Sequence, residues 1–382
     1  MKKLFIILLF IIISSLGRHL LPNNYFFTFH DSTQPARIQQ FVKELKNFHI
    51  PPRVAPDMNY QLGYPVFNFY APASYWITSV INIIGFDVVN SLKLSFLLAL
   101  TVGFLGTYLF FKKFFDFLPS ILGGFFYITS LYFPLNIFVR GNLGETWFLA
   151  LLPLTMALLL SANNLPVLSI LLSFLFTSHN ILSLISIPFI LIFTLLIKNK
   201  KKNLISIILG LLLSSYFWLP AILEMKYTWA KEIATITNFN DHFLCLNQLW
   251  QSQWGFGGST KGCLNDGMSF MIGKLQIIFF VLGLILFIIR KKENKNIYWF
   301  FILTTLTCLF LTSFQSRFIW NLFSPIMSII QFPWRFIGLS LIGISFFSAY
   351  FFHRIKILFK NLLIFAILAT VLIINGKYFQ GQ

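Results

Sequence analysis

Repeated runs of apolar residues, most of them close to twenty long, constrain this chain more than anything else in it. Inside hydrocarbon no water satisfies peptide groups, so a spanning segment must be a helix or part of a closed barrel. Continuous apolar runs of about twenty residues, rather than alternating runs of about ten, select the helix. A chain that is 57% apolar and 10% charged, with a mean hydropathy of +0.78, lies outside the composition of a soluble domain. The runs predict an all-α polytopic membrane protein with about eleven transmembrane helices. They fall near 4–21, 91–111, 118–138, 145–160, 165–177, 180–197, 204–223, 272–290, 297–314, 335–352 and 357–375.

The formal charge of +18 invites a nucleic-acid reading, and its distribution argues against one. With a cytoplasmic N-terminus, the inner segments carry Lys2, Lys3, Lys112, Lys113, the KNKKK of 198–202, the RKKENK of 290–295, and Arg354, Lys356 and Lys360; the polar turn at 161–164 is also inner. These segments hold 15 of the 29 Lys and Arg but only two acids, Asp116 and Glu293, so nine of the 11 acids fall outside. Basic connections inside and acidic loops outside set topology; they do not bind a polyanion. The expected location is the plasma (inner) membrane, with the active face extracytoplasmic.

The first seventeen residues also have the form of a signal peptide, with a basic start and an apolar core. No small-x-small site follows, and Arg18 and His19 come at once, which favours an uncleaved first span. Three cysteines are too few for a disulfide framework. Cys245 and Cys263 share one outer loop, as a disulfide or as two free thiols, and Cys308 lies in a span. The whole chain reads as a single transmembrane domain with outer loops at 22–90, 224–271 and 315–334. It ends at Gln382 just after an outward-going span, so a missing extracytoplasmic C-terminal region fits the sequence.

Outer loop one is polar where the rest is not. Pro35 suits the first turn of a helix, with Asp31, Ser32 or Thr33 as cap. Ile38, Phe41, Val42, Leu45 and Phe48 then recur at three- and four-residue spacing, with Gln39, Gln40, Lys43, Lys46 and Asn47 on the other face. The pattern predicts an amphipathic helix of about four turns lying in the membrane interface and ended by Pro51-Pro52. A second juxtamembrane helix, from Ala73 to Ile84 and closed by Gly85, is too short to span.

A first span, a large outer loop with an early acidic residue, two juxtamembrane helices and then a bundle of spans resembles the GT-C glycosyltransferases. More closely, FHDSTQPARIQQF, IPPRVAPDMNYQLGYPVFNFYAP, RGNLGE, TSHN, SQWGFGGST…DGMSFMIGKLQ and QFPWRF resemble bacterial multi-pass proteins labelled "6-pyruvoyl-tetrahydropterin synthase-related membrane protein"; nothing in the chain suggests pterin chemistry. The likeness covers nearly the whole chain. It implies a GT-C-like fold and transfer of a sugar from a polyprenyl-phosphate carrier to a cell-envelope glycan or lipid acceptor, with no nucleic acid involved.

That chemistry sets requirements. A carboxylate takes the proton of the attacking hydroxyl. One carboxylate suffices for inversion, whereas retention needs a second as nucleophile. Cations must face the departing phosphate. Asp31 is the candidate base because it stands about ten residues past the first span, where the family places its acid; the alternative is a helix cap. His30 precedes it. Arg37 is a phosphate ligand or a headgroup contact. Asp57 is a second carboxylate, a metal ligand shared with Asp31, or a turn residue beside Pro56. Arg140 and Glu145 are costly against apolar flanks unless paired or used. They form either a salt bridge fixing helix entry or a phosphate site in which Glu145 orients Arg140. His179 is a structural histidine or a ligand. Arg335, with Gln331 and Trp334 at a helix start, is a phosphate-binding cation or an interface anchor. Trp250 and Trp254 are sugar-stacking platforms or lipid anchors.

No zinc spacing, P-loop, Ser-His-Asp order or dinucleotide fingerprint occurs. There is no DxD-type pair of carboxylates, so a divalent metal is left open and no other cofactor is implied. Two further classes stay in view. A transporter or flippase for a lipid-linked glycan would place ionisable groups near the bilayer midplane, whereas the charges here cluster at the outer face. A scaffold of the same fold without chemistry is opposed only by Asp31.

Overall fold

The structure is a computed structural model describing residues 2–25, 27–161, 164–229, 232, 237–262, 266–290, 296–356 and 358–381. Cys263, residues 162–163 of the predicted inner turn and the basic stretch 291–295 therefore lie outside the described residues. Among the described residues the fold is all-helical, with two isolated β-bridges and no strand. The helices, in order, are α1 (Lys2–Leu16), α2 (Gln34–Lys46), α3 (Val66–Phe69), α4 (Ala73–Ile83), α5 (Val88–Phe111), α6 (Phe117–Thr129), α7 (Tyr132–Phe138), α8 (Leu143–Ser161), α9 (Leu165–Phe176), α10 (Asn180–Leu196), α11 (Lys200–Leu213), α12 (Ser215–Glu224), α13 (Lys274–Ile289), α14 (Asn296–Thr312), α15 (Arg317–Leu322), α16 (Ser324–Ile330), α17 (Phe336–Arg354) and α18 (Lys360–Asn375).

Each of the eleven predicted apolar segments falls on a helix or a bent helix pair, and these differ in length. Four stretches, Val88–Phe111, Leu143–Ser161, Pro333–Arg354 and Lys360–Tyr378, are long and apolar enough to cross a membrane. The number is six if the bent pairs α6/α7 and α11/Ser215–Tyr227 each count as one span. The other five segments form apolar helices of 10–17 residues. Isoleucines and leucines exposed on α1, α11, α12, α13 and α18 give the outer helices an apolar surface of the kind lipid covers.

The bends expose backbone groups that neighbouring elements satisfy, as a membrane setting demands. Between α6 and α7, which meet at 46°, the Ile272 carbonyl accepts from the Leu131 N–H at 2.9 Å and from Ser130 Oγ at 2.8 Å. Between α11 and α12, Trp218 Nε1 and Ser214 Oγ both donate to the Leu211 carbonyl at 2.9 Å. Close helix approach rests on small residues: a Cβ on Gly283 of α13 would lie 2.1 Å from the Phe347 carbonyl of α17.

α8 and α17 are the interior helices, with 83% and 89% of their span windows buried, against 28% for Lys360–Tyr378. Both begin at the same end of the molecule, near Glu145 and Arg335. Those two side chains are therefore enclosed by protein.

Helix α2 forms where the spacing predicted, with Pro35 in its first turn, but the apolar stripe meets protein instead of a lipid surface. Phe41 packs on Phe67, Trp76 and Tyr75 with ring centroids 4.9, 5.2 and 5.9 Å apart. Phe48 falls past the helix end, in the left-handed region at φ 61° and exposed. α4 and its closing Gly85, at φ +124°, match the prediction. Cys245 is held in a disulfide, and Cys308 is a buried free thiol.

Candidate functional site

Three helices start around one buried cluster of charges. α8 begins at Leu143, and the Glu145 N–H donates to Asn142 Oδ1 at 2.8 Å. α10 begins at Asn180, and His179 caps it by accepting the Leu182 N–H on Nδ1 at 3.2 Å. α17 begins after the Pro333–Arg335 turn and has no side-chain cap. A helix start carries partial positive charge, and Glu145, His179 and Arg335 stand at these three starts.

Glu145 is fully buried and occupied. Arg140 Nη1 donates to its Oε2 at 2.6 Å, Tyr132 donates to its Oε1, and His179 Nε2 lies 3.9 Å from Oε2. Arg140 also donates to Asn136, and its guanidinium lies 4.6 Å above the Trp334 ring. A pair this deep is stable only with such hydrogen bonding, and the outcome is that Glu145 holds Arg140 in place. Burial drives the His179 pKa down to about 3 against the pull of Glu145. The imidazole is thus a neutral Nε2–H donor.

Arg335 sits beside them, 9% exposed, with its guanidinium 6.0 Å from the same Trp334 ring and 4.9 Å from Phe332. Nη1 donates to the Ile330 carbonyl at 2.6 Å and to Gln331 Oε1 at 3.4 Å, while Nε is buried without a hydrogen-bond partner. Among the described residues Arg335 has no ion-pair partner.

The Asp31 turn is docked onto this cluster by main chain. The His30 N–H donates to the Val139 carbonyl at 2.9 Å, and the Asp31 N–H to the Arg140 carbonyl at 3.0 Å. Gly141, at φ +60°, allows the approach: a Cβ there would lie 2.0 Å from Phe29 Cδ2. The carboxylate does not cap α2. The cap position is Thr33, without a side-chain cap bond, and Asp31 instead accepts from four side chains. Oδ1 takes Thr33 Oγ1 at 3.1 Å and Arg37 Nη1 at 3.3 Å; Oδ2 takes Gln34 Nε2 at 2.5 Å and the Tyr70 hydroxyl at 3.4 Å. Tyr70, under the Arg37 guanidinium at 4.7 Å, has its pKa pushed up to about 12 by burial and then by Asp31. It is a hydroxyl donor at any physiological pH. Partial burial and the Arg140 charge hold the His30 pKa below its ordinary value, and its ring meets Phe256 edge-on at 4.4 Å.

The segment around His242, Ser259 and Asp266 packs against this assembly. Ser259 Oγ accepts from Trp334 Nε1 at 3.2 Å and pairs with His242 Nδ1 at 2.8 Å, and His242 packs on Phe332 at 4.7 Å. Asp266, buried, organises the loop by accepting from Gln248 Nε2 at 2.6 Å and the Thr260 N–H at 2.5 Å.

The structure therefore gathers Asp31, His30, Arg37, Arg140, Glu145, His179 and Arg335, while Asp57 is engaged by other partners. Asp57 accepts from Lys43 Nζ at 2.7 Å and Gln40 Nε2 at 3.0 Å, which lower its pKa. Both oxygens of Asp57 are taken by these partners, and among the described residues no three His, Cys, Asp or Glu side chains form a group that could hold a metal ion. Trp254 packs on Tyr378 at 4.5 Å. Tyr70 and Tyr132 are not among the residues the sequence singles out, because a tyrosine's residue type does not say what its hydroxyl bonds. The four-residue spacing of Tyr132, Asn136 and Arg140 was the available signal. Lys93 escaped as well: fully buried in α5, it donates to Asn23 Oδ1 at 2.5 Å and the Tyr25 carbonyl at 3.0 Å, tying down the segment that leads to Asp31.

An apolar groove of about 320 Å³, lined by Ile50, Trp76, Phe174, Thr177 and Tyr216 among others, opens two residues from His179. No protein-family model matches the chain, and no curated protein matches it.

Proposed function

We propose that this chain is an integral-membrane glycosyltransferase of GT-C architecture that moves a sugar from a polyprenyl-phosphate donor to an extracytoplasmic glycan or lipid acceptor. In this reading all eleven apolar segments cross or nearly cross the plasma membrane, with the N-terminus cytoplasmic and the cluster at the outer face. One observation carries the reading: the main chain of Asp31 is bonded to that of Arg140, so a carboxylate shares a site with two buried guanidiniums. An acid–base group and a phosphate-binding group side by side are what the transfer requires.

The acceptor hydroxyl displaces Thr33, the exposed partner of Asp31, and hands its proton to the carboxylate. Its oxygen bonds to the anomeric carbon from the face opposite the phosphate. The carbon–oxygen bond to the phosphate breaks, and the electron pair stays on the phosphate oxygen. Arg335, the outward edge of Arg140 and the start of α17 face the charge that develops there. Inversion follows from a single displacement. The prenyl chain lies in the groove beside Thr177. No step is routed through a metal.

The test is purified protein in lipid, supplied with polyprenyl-phosphate sugars and a panel of envelope acceptors. Product should form with the wild type and be absent with Asp31→Asn while that variant remains folded. Near-normal transfer by that variant refutes the assignment. The bent pairs α6/α7 and α11/α12 favour a second reading, a flippase for a lipid-linked glycan, because discontinuous spans mark transporters. Movement of the donor across a vesicle bilayer without sugar transfer would decide for it.

A further inference from the structure

Outer loop one carries an apolar tip. After α2 the chain doubles back through residues 55–64, closed by an antiparallel bridge. The Ala55 N–H donates to the Tyr64 carbonyl at 2.7 Å, and the Tyr64 N–H to the Ala55 carbonyl at 3.0 Å. At the apex Asn59, Tyr60 and Gln61 stand consecutively in the left-handed region, at φ 57°, 57° and 69°, and Gly63 follows at φ 82°. L-residues enter that region singly and at a cost, and such strain gathers at functional places. What this turn achieves is display: Tyr60 is 96% exposed and Leu62 82%. Residues 58–64, MNYQLGY, carry no charge, and Asp57 behind them is matched by Lys43 at 2.7 Å.

The base of this finger stands against apolar helices. Ile50 lines the groove with Phe174 of α9 and Tyr216 of α12, and Arg53 Nη2 donates to the Tyr216 carbonyl at 3.3 Å. On the return side Asn68 Nδ2 donates at 2.8 Å to Oε2 of Glu224, the last residue of α12. α12 in turn exposes Leu219, Ile222 and Leu223, a surface of the kind lipid covers. We propose, building on the membrane placement given above but not on the transfer chemistry, that the Tyr60–Leu62 tip enters the outer leaflet at the boundary of headgroups and acyl chains. A tyrosine suits that depth, with its ring in the apolar layer and its hydroxyl in the wet one. An uncharged tip enters without stripping water from an ion. It also brings part of its backbone already satisfied, since the Leu62 N–H donates to the Asn59 carbonyl at 3.0 Å and the Gly63 N–H to the Met58 carbonyl at 3.1 Å. α2 joins the finger to the site: Gln40 and Lys43 hold Asp57, and Gln34 and Arg37, nearer its start, hold Asp31. The leaflet thereby fixes the height of the Asp31 turn above the bilayer.

The experiment places an environment-sensitive fluorophore at Leu62→Cys in the full chain, in phosphatidylcholine nanodiscs, with identically treated wild type as background. Phospholipids bearing a nitroxide quench only labels that reach their depth. The label at position 62 should shift to the blue and lose fluorescence to nitroxides at the headgroup and at the top of the acyl chain. The same label at Gln39→Cys, on the exposed face of α2, should keep its fluorescence. Ile373→Cys, at a site 79% exposed on α18, should be quenched by nitroxides deep in the bilayer. Tyr60→Cys should behave as Leu62→Cys does, and adding Leu62→Asp should abolish its quenching; quenching that survives the added charge overturns entry of the tip. Quenching at position 373 without quenching at 62 overturns the finger and leaves the membrane placement standing. Quenching at neither position overturns the placement, and the finger with it. Other occupants declare themselves in the same assay. A response to added envelope glycan without lipid quenching, or shielding from iodide that grows with the number of chains per disc, overturns the proposal in favour of a sugar or of a second copy.

Discussion

Replacing Gly141 with alanine separates the docking of the Asp31 turn from everything else in the fold. Gly141 sits at φ +60°, where an L-residue costs about 1–2 kcal/mol. The new Cβ would also lie 2.0 Å from Cδ2 and 2.4 Å from Cγ of Phe29, so the ring must leave. Phe29 is 2% exposed, and exposing a phenylalanine fully costs about 1.5–3 kcal/mol. As Phe29 moves, the two neighbouring amide bonds, at 2.9 and 3.0 Å, are lost, each worth about 0.5–1.5 kcal/mol. These contributions share atoms and do not simply add; a loss of about 2–4 kcal/mol in local stability is expected. The readout needs no substrate. Amide exchange at residues 29–31 should accelerate by about 30- to 1000-fold while α8 and α17 keep their protection. Transfer activity should fall with it. Combining Gly141→Ala with Phe29→Ala should perturb the turn less than the two single effects summed, because the clash is gone. Unchanged exchange at residues 29–31 in a folded Gly141→Ala protein would refute the docking argument.

Burial keeps His179 neutral, with a pKa of about 3 against an ordinary 6.5, so the unfolded chain takes up the proton first. Its contribution to stability is complete above pH 6.5 and declines as pH falls toward 3, by about 1.4 kcal/mol per unit; the melting temperature of His179→Asn should lack that part of the acid slope. Asp57→Asn breaks an exposed contact with Lys43 and Gln40, and should leave both transfer and melting temperature near wild type, since exposed pairs contribute little. Lys93→Met keeps the bulk of the side chain but removes the donor to Asn23 and Tyr25. Loss of hydrogen bonds from a charged group predicts about 1.5–3 kcal/mol of destabilisation, seen as faster amide exchange through residues 27–31 with α5 intact.

The helices were legible because apolar runs and cap residues are local properties. Pro35 placed the start of α2, and Gly85 the end of α4. What covers a helix is not local. The stripe of Ile38, Phe41 and Val42 has the same spacing whether it meets lipid or Trp76, and only the fold decides. Run length in the sequence likewise does not give helix length: the segments at 165–177 and 297–314 form helices of 12 and 17 residues. At the site, each charged residue was visible as a charge against apolar flanks, but its partners lay elsewhere in the chain. Asp31 and Arg140 are 109 positions apart and meet through main chain, which leaves no trace in residue type. Asp57 is eligible as a second carboxylate in the sequence because nothing there announces that Lys43 and Gln40 take both its oxygens.

The residues of the cluster come from widely separated parts of the chain, and this bears on how the protein is made. A nascent chain that has inserted only as far as α8 already holds Arg140 with Glu145, a pair five residues apart that is electrically complete. His179 arrives two helices later and is neutral. Arg335 arrives after more than three hundred residues have been synthesised. A ribosome-bound precursor therefore carries the Arg140–Glu145 pair alone, and the second guanidinium joins it only when the helix that follows Arg335 reaches its place among the others.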